Sequence, residues 1–196
     1  VRDLAFTGQT GGSDGIVNGS EAAQGIVMTG TVEPGSSVMV KLGQVSHAAT
    51  VAADGSWSVT FAPSDIPAGT YTTTMTATAT DAAGNTDSVS QSVSVDTEAG
   101  SLTINAAPIE GDDVVNAAEA SDGVAISGTA DAGAVVQVTL AGITHTVVAD
   151  ANGQWTSYYA AGEVAQGVYN ADITATTTDS AGNTRSATDS VQVDTR

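Results

Sequence analysis

The sequence contains no cysteine and only 4 basic residues against 22 acidic ones, and aromatics make up 4% of it. Without cysteine there can be no disulfides, thiolate metal sites or cysteine nucleophiles. A net charge of −18 with no basic stripe excludes nucleic acid and anionic membranes as partners. No apolar run approaches the ~18 residues needed to span a bilayer, which excludes membrane insertion. Val1-Arg2-Asp3-Leu4 looks nothing like a signal peptide, so the expectation is a fragment of a longer protein, behaving as a monomer. The aromatic scarcity implies a thin core of Val, Ile, Leu, Ala and Thr.

What is present is an internal repeat. Asn18-Gly-Ser-Glu21 matches Asn116-Ala-Ala-Glu119, and Asp54-Gly-Ser-Trp57 matches Asn152-Gly-Gln-Trp155. Asp81-Ala-Ala-Gly-Asn-Thr86 matches Asp179-Ser-Ala-Gly-Asn-Thr184, and Val93-Ser-Val-Asp-Thr97 matches Val191-Gln-Val-Asp-Thr195. Every pair is offset by the same distance (116 − 18, 155 − 57, 179 − 81 and 194 − 96 all give 98), so the alignment needs no insertion. The expected domains are 1–97 and 98–196, joined with almost no linker.

Val136, Val138 and Leu140 alternate with Gln137 and Thr139, and Tyr169 to Ala175 alternates in the same way. This is the period-two signature of a half-buried strand. Asp54-Gly55 and Asn152-Gly153 are hairpin turns. No apolar i, i+3, i+4 pattern supports a helix. About seven short strands per ~98 residues predict an all-β chain of two tandem immunoglobulin-like Greek-key sandwiches, arranged end to end.

Most acids fall in predicted loops or at strand ends. In that topology Asp14, Glu21, Asp65 and Asp96 share the pole where repeat 1 ends, its exit pole. Asp112, Asp113, Glu119, Glu163 and Asp194 are their counterparts in repeat 2. Asp81 and Asp179 open the loop before the last strand, at the opposite pole with Asp131 and Asp150. Asp96, Asp14, Glu21 and Asp65 are therefore expected to face Asp179 and Asn183 across the junction. Calcium takes about 6–8 oxygen ligands, and crowded carboxylates either bind such a cation or splay apart. Calcium in the junction is one reading; acids that only solvate loops are the other.

Gly11-Gly12-Ser13-Asp14-Gly15 formally matches a nucleophile elbow but lacks the strand-to-helix context and reads as a turn. His47 and His145 are the only histidines, one per repeat, too few for zinc. Trp57 and Trp155 read as core. Tyr158 and Tyr159, which replace Thr60 and Phe61, read as a surface specific to repeat 2.

Together the Asn-x-x-Glu segment, the Asp/Asn-Gly-x-Trp turn, the Asp-x-Ala-Gly-Asn-Thr loop and the closing Val-x-Val-Asp-Thr resemble the bacterial immunoglobulin-like extender repeats of giant biofilm-associated adhesins of the RTX type. The resemblance covers both repeats nearly end to end. It implies a non-enzymatic spacer that projects a terminal ligand-binding domain from the cell surface, with calcium stiffening its joints. It also implies type I secretion, retention at the outer membrane, and neighbouring repeats of the same chain as partners. Repeat 1 departs from the pattern by placing Ser13-Asp14-Gly15 where repeat 2 has Asp112-Asp113, which predicts a weaker cation site there. The alternative is a module that binds glycan or protein directly, through Tyr158, Tyr159 and nearby loops.

Overall fold

Alternation of buried aliphatic and exposed hydroxyl side chains produces strand through most of the chain. In the computed structural model, which describes residues 1–12 and 14–196, the chain divides into two units, Val1–Glu98 and Ala99–Arg196. Repeat 1 contains β1 (Ala5–Thr10), β2 (Ile16–Asn18), β3 (Ile26–Thr31), β4 (Ser37–Leu42), β5 (Val45–Ala48), β6 (Thr50–Val51), β7 (Ser56–Phe61), β8 (Thr70–Thr80) and β9 (Thr86–Asp96). One sheet has the order β1-β3-β7-β6 and the other β2-β9-β8-β4-β5. Repeat 2 contains β10 (Leu102–Ile104), β11 (Val114–Asn116), β12 (Val124–Ala130), β13 (Val135–Leu140), β14 (Ile143–Val148), β15 (Gln154–Tyr159), β16 (Val168–Thr178) and β17 (Thr184–Asp194). Its sheets run β10-β12-β15 and β11-β17-β16-β13-β14. Each unit is an immunoglobulin-like sandwich with Greek-key connections.

The first segment of each repeat visits both sheets. β1 pairs antiparallel with β3, then the chain crosses over and β2 pairs parallel with β9, setting Ile16, Val17 and Asn18 against Ser94, Val95 and Asp96. Val114, Val115 and Asn116 repeat this against Gln192, Val193 and Asp194.

The expectation of no helix is corrected. Two six-residue helices, α1 (Gly19–Gln24) and α2 (Ala117–Asp122), follow β2 and β11. Asn18 accepts the Glu21 N–H at 3.0 Å while the Glu21 carboxylate accepts the Asn18 N–H at 3.0 Å. Asn116 and Glu119 form the same reciprocal box. It satisfies backbone donors that a helix start leaves unpaired.

The core of repeat 1 is built around Ile26, Met28, Val40, Trp57, Phe61 and Met75, and that of repeat 2 around Val124, Ile126, Val138, Trp155, Tyr159 and Ile173. Trp57 and Trp155 are each 2% exposed, which places both inside. Glycine on the neighbouring strand makes their placement possible. Gly30 lies opposite Trp57 and Gly128 opposite Trp155. A β-carbon at Gly30 would come within 2.1 Å of the Trp57 ring and 2.2 Å of the Ala5 carbonyl. At Gly128 the distances to the Trp155 ring and the Thr103 carbonyl would be 2.3 and 2.0 Å. At the start of β8 the Tyr71 hydroxyl donates to the Pro67 carbonyl at 2.9 Å, and Tyr169 donates to Ala165 at 2.7 Å. This is the tyrosine corner of immunoglobulin-like sandwiches.

The outward side of β8 is a single row of Thr70, Thr72, Thr74, Thr76, Thr78 and Thr80. It stands in register with Asp96, Ser94, Ser92, Ser90, Ser88 and Thr86 of β9. Asp96, at the strand end, is the row's one charge. Thr174, Thr176 and Thr178 of β16 face Thr188, Ser186 and Thr184 in the same manner.

Candidate functional site

At the exit pole of repeat 1 the acids close local backbone or, at Asp96, a cross-strand hydroxyl. Asp14 accepts the Ile16 N–H at 3.1 Å, and Glu21 belongs to the helix cap. Asp96 accepts the Thr70 hydroxyl at 2.8 Å. Asp65 lies 2.9 Å from His47 Nε2 and accepts the Ala62 N–H at 2.8 Å.

Repeat 2 solves the same loops with its own acids. Asp112 accepts the Val114 N–H at 3.0 Å and Asp113 the Ile109 N–H at 2.8 Å. Glu119 accepts the Asn116 N–H at 2.9 Å, and Asp194 accepts the Arg196 N–H at 3.4 Å. Glu163 lies 2.9 Å from His145 Nε2 and accepts the Ala160 N–H at 2.7 Å. The histidines thus have a definite structural role, each tying the edge strand of the five-stranded sheet to the turn after β7 or β15. His47 tilts against Phe61 with ring centroids 5.2 Å apart, and His145 stacks on Tyr159 at 4.5 Å.

Asp81 and Asp179 sit at the opposite pole of their own repeats and are used by the turn they begin. Asp81 accepts the N–H of Ala83 at 2.9 Å, the N–H of Asn85 at 2.8 Å and the Asn85 side-chain amide at 2.8 Å. Asp179 accepts the same three donors from Ala181 and Asn183, each at 2.9 Å. The Asp-x-Ala-Gly-Asn-Thr motif is therefore a self-closing loop, with Gly84 and Gly182 at φ 85° and 87°. Asn183 is buried and faces its own loop. Near Asp179 a cleft of about 330 Å³ is lined by Gly100, Ser101, Asp131, Val135 and Thr177. Asp131 there accepts the Ser101 hydroxyl at 2.6 Å.

These bonds hold several carboxyls below their ordinary range. The Asn85 amide does so for Asp81, and His47 followed by the Ala62 N–H for Asp65. The Ala160 N–H followed by His145 does so for Glu163. At Asp179 burial pushes upward, but the Asn183 side chain and the loop N–H groups outweigh it.

Calcium needs several oxygens converging on one point. Among the described residues no three His, Asp or Glu side chains form a group able to hold a metal ion. Within either repeat taken alone, the acids do not fit a calcium site. They are spread over separate loops and held by nearby N–H and hydroxyl donors.

Two other sequence expectations meet the structure here. Tyr159 is not a surface residue: it is fully buried, and its hydroxyl donates to the Val138 carbonyl at 2.7 Å. Tyr158 is 55% exposed and donates to the carbonyl of Asp122 at the end of α2. In the Gly11–Gly15 segment Ser13 lies outside the described residues. Beside it the Gly15 N–H donates to the Gly12 carbonyl at 2.9 Å.

A family model for the bacterial Ig-like domain matches residues 3–97 and again residues 109–195. The chain belongs to that family. Two solved structures are similar to these Ig-like repeats over nearly the whole chain. One comes from work on host cell surface retention of a 1.5-MDa bacterial ice-binding adhesin; it is 32% identical over 98% of this chain, with a TM-score of 0.54. The other is a Ca2+-stabilized adhesin with which an Antarctic bacterium reaches out and binds ice; it is 38% identical over 98% of this chain, again with a TM-score of 0.54. The chain spans 64% and 50% of the length of these two relatives. No curated protein matches. The two Ig-like repeats are accordingly a segment of the kind that large bacterial adhesins contain.

Proposed function

We propose that the two Ig-like repeats form an extender of a large bacterial surface adhesin, a spacer that sets the distance between the cell and a terminal binding domain in adhesion and biofilm formation. The observation that carries this reading is the tandem itself. One sandwich frame occurs twice at a fixed 98-residue offset with the first strand of repeat 2 beginning at Leu102, six residues after β9 ends at Asp96. Repetition of this kind adjusts length by copy number. Both similar structures belong to adhesins, which supports an extracellular, cell-surface location; type I secretion with outer-membrane retention is the route this reading assigns.

Calcium is the finer part of the proposal. The ion would draw oxygens from both repeats, with Asp14, Glu21, Asp65 and Asp96 on one side and Asp179 and Asn183 on the other. The similarity to a Ca2+-stabilized adhesin supports this. An ion bound only by the docked arrangement would stabilise it by mass action. Small-angle scattering with calcium and with chelator tests the idea. A larger, more uniform maximum dimension in calcium is expected, and identical curves would remove the ion from the account. The reading as a direct binding module is weakened by the burial of Tyr159. Saturable glycan binding by this fragment, lost in Tyr158→Ala, would restore it.

A further inference from the structure

We infer that Asn152 is a self-modification site, where the Gly153 main-chain nitrogen displaces the side-chain amide and leaves repeat 2 with an aspartyl or isoaspartyl link that repeat 1 avoids. The chemistry needs only water and hydroxide and does not depend on the extender reading.

The chain has seven asparagines, and of these Asn18 and Asn152 precede glycine. The following residue matters because a β-carbon on it crowds the approach of its nitrogen to the asparagine Cγ, and glycine has none. Alanine or threonine follows the other asparagines. Asn18 is fixed at the start of α1, where its Oδ1 accepts the Glu21 N–H at 3.0 Å. Asn152 is exposed. Among the described residues its side chain bonds nothing, and only its N–H is used, donating to the Asp150 carboxylate at 2.7 Å.

Differences between the two copies of this turn free it. Repeat 1 has Ala52, Asp54 and Ser56 where repeat 2 has Asp150, Asn152 and Gln154. Asp54 accepts the Ser56 N–H at 3.0 Å and the Ser56 hydroxyl at 2.7 Å. The hydroxyl first, then the N–H, holds the Asp54 carboxyl below its ordinary range, and an ionised carboxylate resists a nucleophile. In repeat 2 Asp150 takes the equivalent donor, the Gln154 N–H, at 2.9 Å. Gln154 carries no hydroxyl, so the neutral Asn152 carboxamide is left unheld. Asp150, Ala151 and Asn152 are all exposed, which lets the turn open locally and release the Gly153 N–H from the Asp150 carbonyl, 2.9 Å away. Hydroxide takes that proton and the nitrogen attacks Asn152 Cγ, a neighbour held close by the chain itself. The Cγ–Nδ2 bond breaks, ammonia leaves and a cyclic imide closes. Water adding at Cγ reopens it to aspartate; water adding at the main-chain carbonyl carbon gives isoaspartate, with the main chain lengthened by a methylene.

The longer link falls where the backbone is tight. Gly153 lies at φ 77°, donates to the Asp150 carbonyl and accepts the Ala130 N–H at 2.9 Å. A β-carbon on it would come within 2.4 Å of the Ala130 oxygen. An added main-chain atom cannot keep both bonds, so the end of β12 loses its tie to the start of β15, beside the buried Trp155.

Incubating the whole folded chain in mildly alkaline and mildly acidic buffer tests this, with peptide mapping by mass spectrometry to follow the change from amide to acid. In alkali Asn152 should convert at least about tenfold faster than any other asparagine, about 1.4 kcal/mol in barrier, and the acidic sample should lag. Labelling with isoaspartyl methyltransferase should find the isoaspartate at the same position. If Asn18 keeps pace, or if Asn152 converts only in urea, the folded turn protects it and the inference is overturned. Unfolding then separates linkage from charge. Asn152→Asp, which carries the ordinary link, should keep the repeat 2 midpoint of fresh protein, and aged protein should show a lower one. Asn152→Gln aged in parallel should keep its midpoint. If Asn152→Asp falls as far as the aged chain, the added charge and not the added methylene is responsible, and the structural half of the inference fails.

Discussion

Repeat 1 and repeat 2 share one frame but finish their sandwiches differently. Repeat 1 sends the chain from β5 into β6, which pairs with β7 and covers its edge. In repeat 2, β14 stays with the five-stranded sheet, and β15 ends its sheet as an edge strand. Facing inward, repeat 1 has Val59 and Phe61, whereas repeat 2 has Ser157 and Tyr159, both fully buried. A hydroxyl enters a core at acceptable cost only with a partner, and Tyr159 finds one in the Val138 carbonyl of the facing sheet. The frame therefore tolerates different chemistry at two positions: the Tyr159 hydroxyl gains a bond between the two layers, while the Ser157 hydroxyl is buried without a partner, a cost repeat 1 avoids with Val59.

Several substitutions can break or sharpen this comparison, with Trp57 and Trp155 reporting on one repeat each. The largest effect is expected from Gly128→Ala and Gly30→Ala. Each pushes a methyl into a tryptophan ring and a backbone carbonyl, and should cost the affected repeat about 3 kcal/mol in denaturant unfolding. The other repeat should unfold as before; if both shift together, they are not independent units. Next comes Tyr159→Phe, which removes a bond repeat 1 never had and should cost repeat 2 about 1.5 kcal/mol. Removing the helix caps should cost about 1 kcal/mol. Asn116→Ala should exceed Asn18→Ala, because Asn116 receives N–H bonds from Ala118 and Glu119 and Asn18 from Glu21.

One change should improve repeat 2. Where repeat 1 has Gly43 at φ 57°, repeat 2 has Ala141 at φ 50°, a left-handed conformation that costs a side chain about 1 kcal/mol or more. Ala141→Gly or Ala141→Asn should raise the unfolding midpoint of repeat 2 while that of repeat 1 stays where it is. The smallest effect is on pH. Asp65, Asp81, Glu163 and Asp179 have carboxyls lowered in the folded state. Their contribution is complete above the ordinary carboxyl range near pH 4 and disappears as pH falls through the lowered values. Melting temperature should be level from about pH 7 to 5 and decline below about 4. Asp81→Asn and Asp179→Asn should each flatten that decline in their own repeat.

The repeat, the strands and the inward tryptophans were legible because they depend on fixed offsets and period-two alternation. The helices were not, since a six-residue helix burying only Ala22 or Ala120 has no apolar periodicity. Their one signal in the sequence is Asn-x-x-Glu itself, a capping box that occurs at the same offset in both repeats. The burial of Tyr159 was also written in the sequence. Trp155, Ser157 and Tyr159 are two apart on one strand and must share a face, as Trp57, Val59 and Phe61 do. The acids were harder to read. Carboxylates placed at loop ends point toward a cation, yet an aspartate at a turn also takes the N–H two residues on, as Asp14 does with Ile16, Asp112 with Val114 and Asp179 with Ala181. That competition is local and stereochemical, and residue counts do not reveal it.

The threonine and serine rows on β8 and β9 have a consequence for how such molecules crowd together. With the acids confined mostly to turns and strand ends, the flank of repeat 1 is hydrated by hydroxyls and carries almost no field of its own. Changing ionic strength alters repulsion among the turns over a screening length of about 10 Å, while on this flank only Lys41, in register with Thr76, and Asp96 at the strand end are there to be screened. Close approach along the hydroxyl row of repeat 1 would then be limited mainly by volume, whereas the matching face of repeat 2 carries exposed Asp172 in mid-strand and would respond to salt.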